Sequence, residues 1–533
     1  RTGDWFVGFS GDGVIYDGKV WDVVSREERR DGRGQWVIAY GGEQLAVEVG
    51  KEKRGTRRIT VGKEPPVECS LITGAALLDY PVEDLREGFK DNGYRADDSV
   101  TIVGWMKDMP AEAWEKGRSV EILRNNIFMD KQESFVAAMD STGRFSVRVP
   151  LVNTSEIYID IGRKGINTVV EPGETYFLLH DFSTGHVLFM GEDVRLQNEL
   201  QTHPPLYVDG YLRKGQGTVD EFRIQMEEKY RHAVEELSRR VEEHPNLSRR
   251  YRYYMESFVL TGLGRSMMQA RFAVPDWQLP EDYVDFVRTK VWQRPPKPYT
   301  LCQTFSTLMR DYIDHSSEAK DKVRGDVTFN AFESLQQRGE ISMSEEEVNT
   351  VEAYQLTVRE LQEKLNAEPS DSLRQRMVVE FGKSELSQRF MSLVTRFEDV
   401  LNEEILIDNI DFWKEDAESV GCDSILCQIH LARKLYGLID NMRKPLPDRM
   451  MAKAEWGIRL EGGWDIVSRE QEKYVSIQNR DLSDVSSLRS AEDVKDVTGG
   501  EALLRKLTEP YRGKLVLLDI WGTWCGPCKE ALS

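Results

Sequence analysis

Cysteine, histidine and long apolar runs are all scarce in this chain of 533 residues, and each scarcity closes off a class of protein. Six cysteines are too few to staple a disulfide-dense fold. Seven histidines stand scattered at 180, 186, 203, 232, 244, 315 and 430. None belongs to an H-E-x-x-H run or adjoins a cysteine pair at zinc spacing, so metal catalysis has no signature. No apolar run reaches the ~18 residues that a membrane-spanning helix needs. Excess positive charge is missing as well. Against 71 Lys and Arg stand 91 Asp and Glu, a net charge of −20, the wrong sign for a general nucleic-acid or anionic-membrane binder. Gly262-Leu263-Gly264 lacks the third glycine of a dinucleotide loop. Met377 stands where a phosphate-binding loop ending at Gly382-Lys383-Ser384 needs its first glycine, and no G-x-S-x-G elbow is present.

What remains is a chain able to build cores. Apolar residues make up 40% and charged residues 30%, which excludes disorder as the main theme. The length predicts roughly three to five domains. Residues 1–75 read as β: short apolar runs such as Val14-Ile15-Tyr16, Trp36-Val37-Ile38 and Ile59-Thr60-Val61 are separated by Asp12-Gly13, Asp17-Gly18 and Gly41-Gly42, dipeptides that favour tight hairpins. The stretch Arg26 to Arg33 mixes both signs of charge and reads as a solvated loop. Residues 76–98, with Pro81, read as a connector.

A second β block, 99–210, carries candidate strands at Val100–Val103, Phe135–Ala137, Phe145–Val149, Ile157–Ile161, Thr168–Val170 and Thr175–Leu179. Their in-out alternation and spacing predict an antiparallel sandwich. Over 211–488 the period turns helical. Thr218-Val219-Asp220-Glu221 is a capping box, followed by Phe222, Met226, Tyr230, Ala233, Leu237 and Val241 on one face until His244-Pro245. Ser344 to Glu347 opens another helix with Val351, Tyr354, Val358, Leu361 and Leu365. Its pattern is too short for a coiled-coil dimer and predicts an intramolecular layer. A long apolar-periodic span covers Leu386 to Asp440.

Cys422 and Cys427 fall inside that span. Five residues turn a regular helix by about 500°, which points the two thiols ~140° apart and forbids a bridge unless the helix breaks near Gly421. Cys69 and Cys302 are isolated and read as small core residues.

The last 20 residues differ in kind. Leu515 to Trp521 is a continuous apolar run holding one acid, Asp519, the pattern of a parallel strand buried on both faces. Gly522-Thr523-Trp524 leads into Cys525-Gly526-Pro527-Cys528 and a polar helical start. That order places Cys525 at a helix N-terminus, where free backbone N–H groups and the helix dipole favour a thiolate, with Cys528 one turn on. Pro527 fits a first turn because it has no N–H to satisfy there. Zinc ribbons also use C-x-x-C, but no second pair follows.

The segment Lys514 to Glu530, K-L-V-L-L-D-I-W-G-T-W-C-G-P-C-K-E, resembles the active-site segment of the thioredoxin superfamily. Its W-G-T-W-C-G-P-C form is closest to the envelope thiol–disulfide reductases of the TlpA/ResA and AhpC/TSA-like group. The resemblance implies that Cys525 is the attacking thiol and Cys528 the resolving thiol. Gly526 and Pro527 form the dipeptide of a reductant. Asp519 matches a buried acid that takes the resolving thiol's proton, unless it only closes a strand. Trp521 and Trp524 shield the thiols and face a substrate, with core packing the other role open to Trp521. No metal or organic cofactor is implied, only the Cys525–Cys528 disulfide. The partners implied are a disulfide-bearing protein substrate and an electron-donating reductase, and the place is the periplasm or envelope. Peroxide reduction is a weaker variant, because the proline-rich peroxidatic motif is absent.

The whole reads as a multidomain α+β protein: an N-terminal β-domain (1–75), a connector (76–98), a β-sandwich (99–210), an α-helical region (211–488) and the start of a thioredoxin-like α/β domain (489–533). Residue 1 is Arg, and the chain stops five residues after Cys528. Both ends are expected to be trimmed, with a removed leader upstream and the rest of the redox domain downstream; the truncated chain is then a weak reductase at best. The competing expectation is a non-enzymatic binding or assembly module in the first ~490 residues.

Overall fold

A computed structural model describes residues 5–10, 13–70, 80, 83–161, 165–191, 193–316, 325–480, 494–495 and 497–518. The chain is a multidomain α+β protein, strands first and helices after. Its internal contacts divide it into two compact units, Arg1–Tyr474 and Val475–Ser533. No helix among the described residues is long and apolar enough to cross a membrane.

The first seven strands are β1 (Val7–Phe9), β2 (Val14–Tyr16), β3 (Lys19–Glu28), β4 (Gly34–Tyr40), β5 (Glu43–Val49), β6 (Thr56–Val61) and β7 (Val67–Ser70). They pair in sequence order as an antiparallel meander. Asp17 and Gly18 both adopt positive φ, 51° and 64°, between the paired residues Tyr16 and Lys19, which is the two-residue hairpin their sequence predicts. Gly41-Gly42 does the same between Tyr40 and Glu43. Trp21, Trp36, Ile38, Val47 and Val61 form the core of this sheet.

The second β block holds β8 (Ser99–Lys107), the short helix α1 (Ala111–Lys116), β9 (Ser119–Asn126), β10 (Lys131–Ala138), β11 (Arg144–Pro150), β12 (Ser155–Asp160), β13 (Gly165–Val170), β14 (Thr175–Asp181) and β15 (His186–Met190). Two four-stranded sheets, β10-β9-β12-β13 and β11-β8-β14-β15, enclose Val100, Ile102, Val120, Ile122, Ile157, Ile159, Leu178 and Phe189. The sandwich is therefore present, but the expectation that it is wholly antiparallel is corrected: β8 and β14 run parallel, Thr101 opposite Thr175. A parallel pair needs a crossover, and here the chain traverses the other sheet before returning. It also favours burial on both faces. The outer face of this sheet is covered by a second cluster in which Trp105, Phe177 and Met190 pack with Ile15 and Val20 of the N-terminal meander.

The helical region runs through α2 (Arg195–Thr202), α3 (Val219–Glu243), α4 (Arg249–Gln269), α5 (Glu281–Val287), α6 (Gln303–Ser316), α7 (Gly325–Gln337), α8 (Glu345–Ala367), α9 (Asp371–Gly382), α10 (Glu385–Arg396), α11 (Glu398–Ser419), α12 (Ser424–Met442), α13 (Asp448–Gly457) and α14 (Glu461–Gln478). Both capping boxes form: the Thr218 hydroxyl accepts from Glu221 N at 3.2 Å while Thr218 N donates to the Glu221 carboxylate at 2.8 Å, and Ser344 with Glu347 repeats the pattern. Tyr354 of α8 stacks on Phe390 of α10 at 3.9 Å, so this stripe packs within the chain. The apolar-periodic span from Leu386 to Asp440 forms three helices. It breaks at Phe397 and again over 420–423, where Gly421 takes a φ of 79°.

Candidate functional site

All seven residues singled out by the C-x-x-C motif, Asp519, Trp521, Trp524, Cys525, Gly526, Pro527 and Cys528, lie outside the described residues. The segment leading to them is described. Gly499 caps helix α15 (Gly500–Thr508), a 3₁₀ turn follows at Glu509–Tyr511, and Gly513 turns the chain with a φ of 83°. Leu515 to Leu518, read from the sequence as the first half of a buried strand, enter none of the three sheets. Leu515 and Leu517 are fully exposed, Val516 and Leu518 about half. A strand of this composition is ordered by neighbours on both edges and layers on both faces, and no such neighbour exists among the described residues.

Elsewhere the chemistry-bearing residues are enclosed. Glu156 of β12 is fully buried and accepts from the Gln303 backbone N–H at 2.9 Å, at the start of α6. Desolvation pushes its carboxyl up to about 7, with the Gln303 amide and the Tyr254 hydroxyl pulling the other way. Burial first, then the charge of Glu156, holds the neighbouring Cys302 thiol well above its usual value. A carboxyl tuned toward neutrality beside a thiol has the ingredients of an acid–base pair, yet Tyr254, Cys302 and Glu156 are each nearly or wholly inaccessible to solvent. They knit the sandwich to α4 and α6. No local pattern marks this trio in the sequence, because its members come from three distant elements.

A second enclosed cluster surrounds Arg250 of α4. Its guanidinium reaches Asp193 at 2.6 Å and Asp84 at 3.3 Å, with Glu171 at 3.8 Å. Arg86 bridges Glu171 at 2.6 Å and also pairs with Asp193. Connector, sandwich and helix are thus clamped by two cations among three carboxylates. His430 of α12 is buried, its pKa pushed down to about 3 by desolvation and then by the charge of Lys434, so it stays neutral. A groove of about 610 Å³ between the 211–217 loop and the start of α3 is lined by Tyr211, Arg213, Gln216 and Glu221, whose carboxylate is already spent on the capping box.

Four cysteines are described, and all are free thiols. Cys302 is a core residue and Cys69 is half-buried on β7, against the core of the meander. Cys422 corrects the sequence reading. It does not lie in a helix but in the turn between α11 and α12, while Cys427 lies in the opening turns of α12. Gly421, with its left-handed backbone, is the residue that ends α11. Among the described residues no group of three or more His, Cys, Asp or Glu is arranged to hold a metal ion. Compared with known proteins, the chain matches no family model, no curated protein and no solved structure.

Proposed function

We propose that this chain carries the dithiol of an envelope thiol–disulfide oxidoreductase, a protein disulfide reductase with Cys525 as nucleophile and Cys528 as resolving thiol. The observation that supports this is one contiguous stretch, Lys514 to Glu530, in which an apolar run, a Trp-Gly-Thr-Trp turn and Cys-Gly-Pro-Cys stand in the order that dithiol exchange requires. In the reaction the Cys525 thiolate attacks one sulfur of a substrate disulfide and displaces the other as a thiolate. The Cys528 thiolate then attacks the Cys525 sulfur, releasing the second substrate thiolate and closing Cys525–Cys528. Two electrons leave the dithiol for the substrate, and a partner reductase restores them. Asp519 accepts the Cys528 proton, and Trp521 and Trp524 shield the sulfurs. The large β and helical region ahead of the motif serves as scaffold in this reading, because its buried charges are committed to holding layers together.

Insulin reduction with dithiothreitol as donor tests the proposal. A weak acceleration of insulin B-chain precipitation over dithiothreitol alone is expected, and Cys525→Ser abolishes it. Equal rates with and without Cys525 end the proposal.

A further inference from the structure

The turn between α11 and α12 is built from two overlapping helix-end motifs that share one residue. Gly421 N donates to the Glu418 carbonyl at 3.0 Å and Cys422 N to the Ala417 carbonyl at 3.1 Å, the paired bonds of a Schellman ending with Gly421 in the left-handed position. The next residue but one, Asp423, caps α12: its carboxylate accepts from Ile425 N at 3.1 Å and Leu426 N at 2.9 Å. Cys422 is therefore the last residue of one motif and the residue just before the cap of the other. Cys427 is the fourth helical residue of α12. Residues in these two places, before the cap and at the fourth helical position, pack against each other as a staple across the helix start.

In the structure the Cys427 side chain reaches the backbone of Cys422. The Cys427 sulfur donates toward the Cys422 carbonyl oxygen at 3.6 Å, over the backbone of its neighbour in the staple. Both side chains lean on the large helical core, partly buried. The turn is braced from outside: Trp292 Nε1 donates to the Val420 carbonyl at 2.8 Å, and Lys297 and Tyr299 both donate to Asp423. The break at Gly421 removes the ~140° divergence that a continuous helix would impose on the two thiols.

We propose that Cys422 and Cys427 form a structural disulfide, a covalent version of the staple that fixes the α11–α12 turn. The oxidant is a low-molecular-weight disulfide. The Cys427 thiolate attacks it, giving a mixed disulfide and one free thiolate. The Cys422 thiolate then attacks the Cys427 sulfur, expels the second small thiolate and closes the ring. Two electrons and two protons leave the protein, and the small disulfide becomes two thiols.

The surroundings set the rate and the permanence. Burial pushes the Cys427 thiol up to about 11, with Glu418 and Asp423 adding to the rise and Lys414 opposing it. Cys422 is pushed higher still by burial, then by Cys427 and Asp423. Tyr299 and Tyr312 stand near Cys422 as well. Thiols of this kind exchange slowly at neutral pH and leave reluctantly, so the bond forms slowly and resists reduction once made. This inference does not rest on the Cys525–Cys528 reading.

Trypsin separates the two dithiols. Cleavage after Lys414 and Arg433 puts Cys422 and Cys427 on one peptide, and cleavage after Lys514 and Lys529 puts Cys525 and Cys528 on another. The test incubates the folded chain with oxidised glutathione, quenches with acid, labels free thiols with N-ethylmaleimide, digests and weighs the 415–433 peptide. The expected product is unlabelled and about 2 Da lighter than the dithiol, and dithiothreitol converts it to a doubly labelled form. Its rate of formation rises about tenfold per pH unit from pH 7 to 9, following the thiolate. Cys422→Ser halts at glutathione attached to Cys427. A 415–433 peptide that keeps two labels, one that stops as a mixed disulfide in the unmodified chain, or one that closes only in denaturant overturns the proposal.

Discussion

Helices α3 and α4 are consecutive and differ in how much of their surface is buried. In α3, 4 of 25 residues are buried, all on the stripe of Phe222, Met226, Ala233 and Leu237. In α4, 14 of 21 are buried, among them Arg250, Ser257, Thr261 and Ser266. A helix that covers a core from one side keeps a readable stripe, whereas one wedged between the sandwich and other helices is buried all round and loses its period. The polar residues of such a helix must then find partners inside. Ser248 caps α4 and is itself held by Glu199, Thr261 meets Thr304 at 2.7 Å, and Arg250 meets three carboxylates. α3 shows its origin in its sequence, and α4 shows it only in its neighbours.

Removing the Arg250 charge separates the two helices most sharply. Arg250→Met leaves Asp193 and Glu171 with Arg86 as their bridging cation and takes from Asp84 its guanidinium partner, and the loss is about 3–5 kcal/mol in urea unfolding. The matching change on α3, Arg231→Met, removes an exposed pair with Glu235 and costs less than about 0.5 kcal/mol. Equal costs would break the distinction between them.

Next in size is the carboxyl that faces α4. Glu156 has a folded-state pKa of about 7, above its ordinary 4.5, so the folded protein holds a proton that the unfolded chain releases. Stability is highest below 4.5, falls as pH rises from 4.5 to 7, and stays reduced above that. Glu156→Gln cannot ionise and removes this slope. The variant gains on the order of 3 kcal/mol over the parent at pH 8 and almost nothing at pH 4, measured by urea midpoints at the two values. A pH-independent difference would contradict it. The smallest effect belongs to α3: Thr218→Ala dissolves the capping box at a cost of about 1 kcal/mol, the same at pH 5 and 8.

Local rules were legible wherever one short stretch held the whole instruction. Asp17-Gly18 forms its hairpin, and Thr218 with Glu221 forms its cap. Strand β9 escapes the sequence pattern because its inward positions end in Arg124 and Asn126, polar residues that are buried and both reach Glu133 across the sheet. The parallel β8–β14 pair was also hidden, since its partners are more than 70 residues apart. Cys422 was misplaced although the signal was present: Gly421 as a left-handed stop and Asp423 as a cap together spell the end of one helix and the start of another. The Cys-Gly-Pro-Cys site is legible for the opposite reason to the Glu156–Tyr254–Cys302 knot, as four adjacent residues need no fold to be recognised.

The chain thus carries two close cysteine pairs of contrasting character, one set in a braced turn with raised thiol pKa values and one expected to be reactive. A redox titration reads the second directly. The folded chain is equilibrated across a series of glutathione ratios, trapped by acid and alkylation, and the 515–529 peptide is weighed. The proposed reductase predicts a single two-electron transition between doubly labelled and internally bridged forms, with a midpoint in the reducing range of roughly −200 to −300 mV. Two independent one-thiol transitions, or no Cys525–Cys528 bridge at any ratio, would contradict the account.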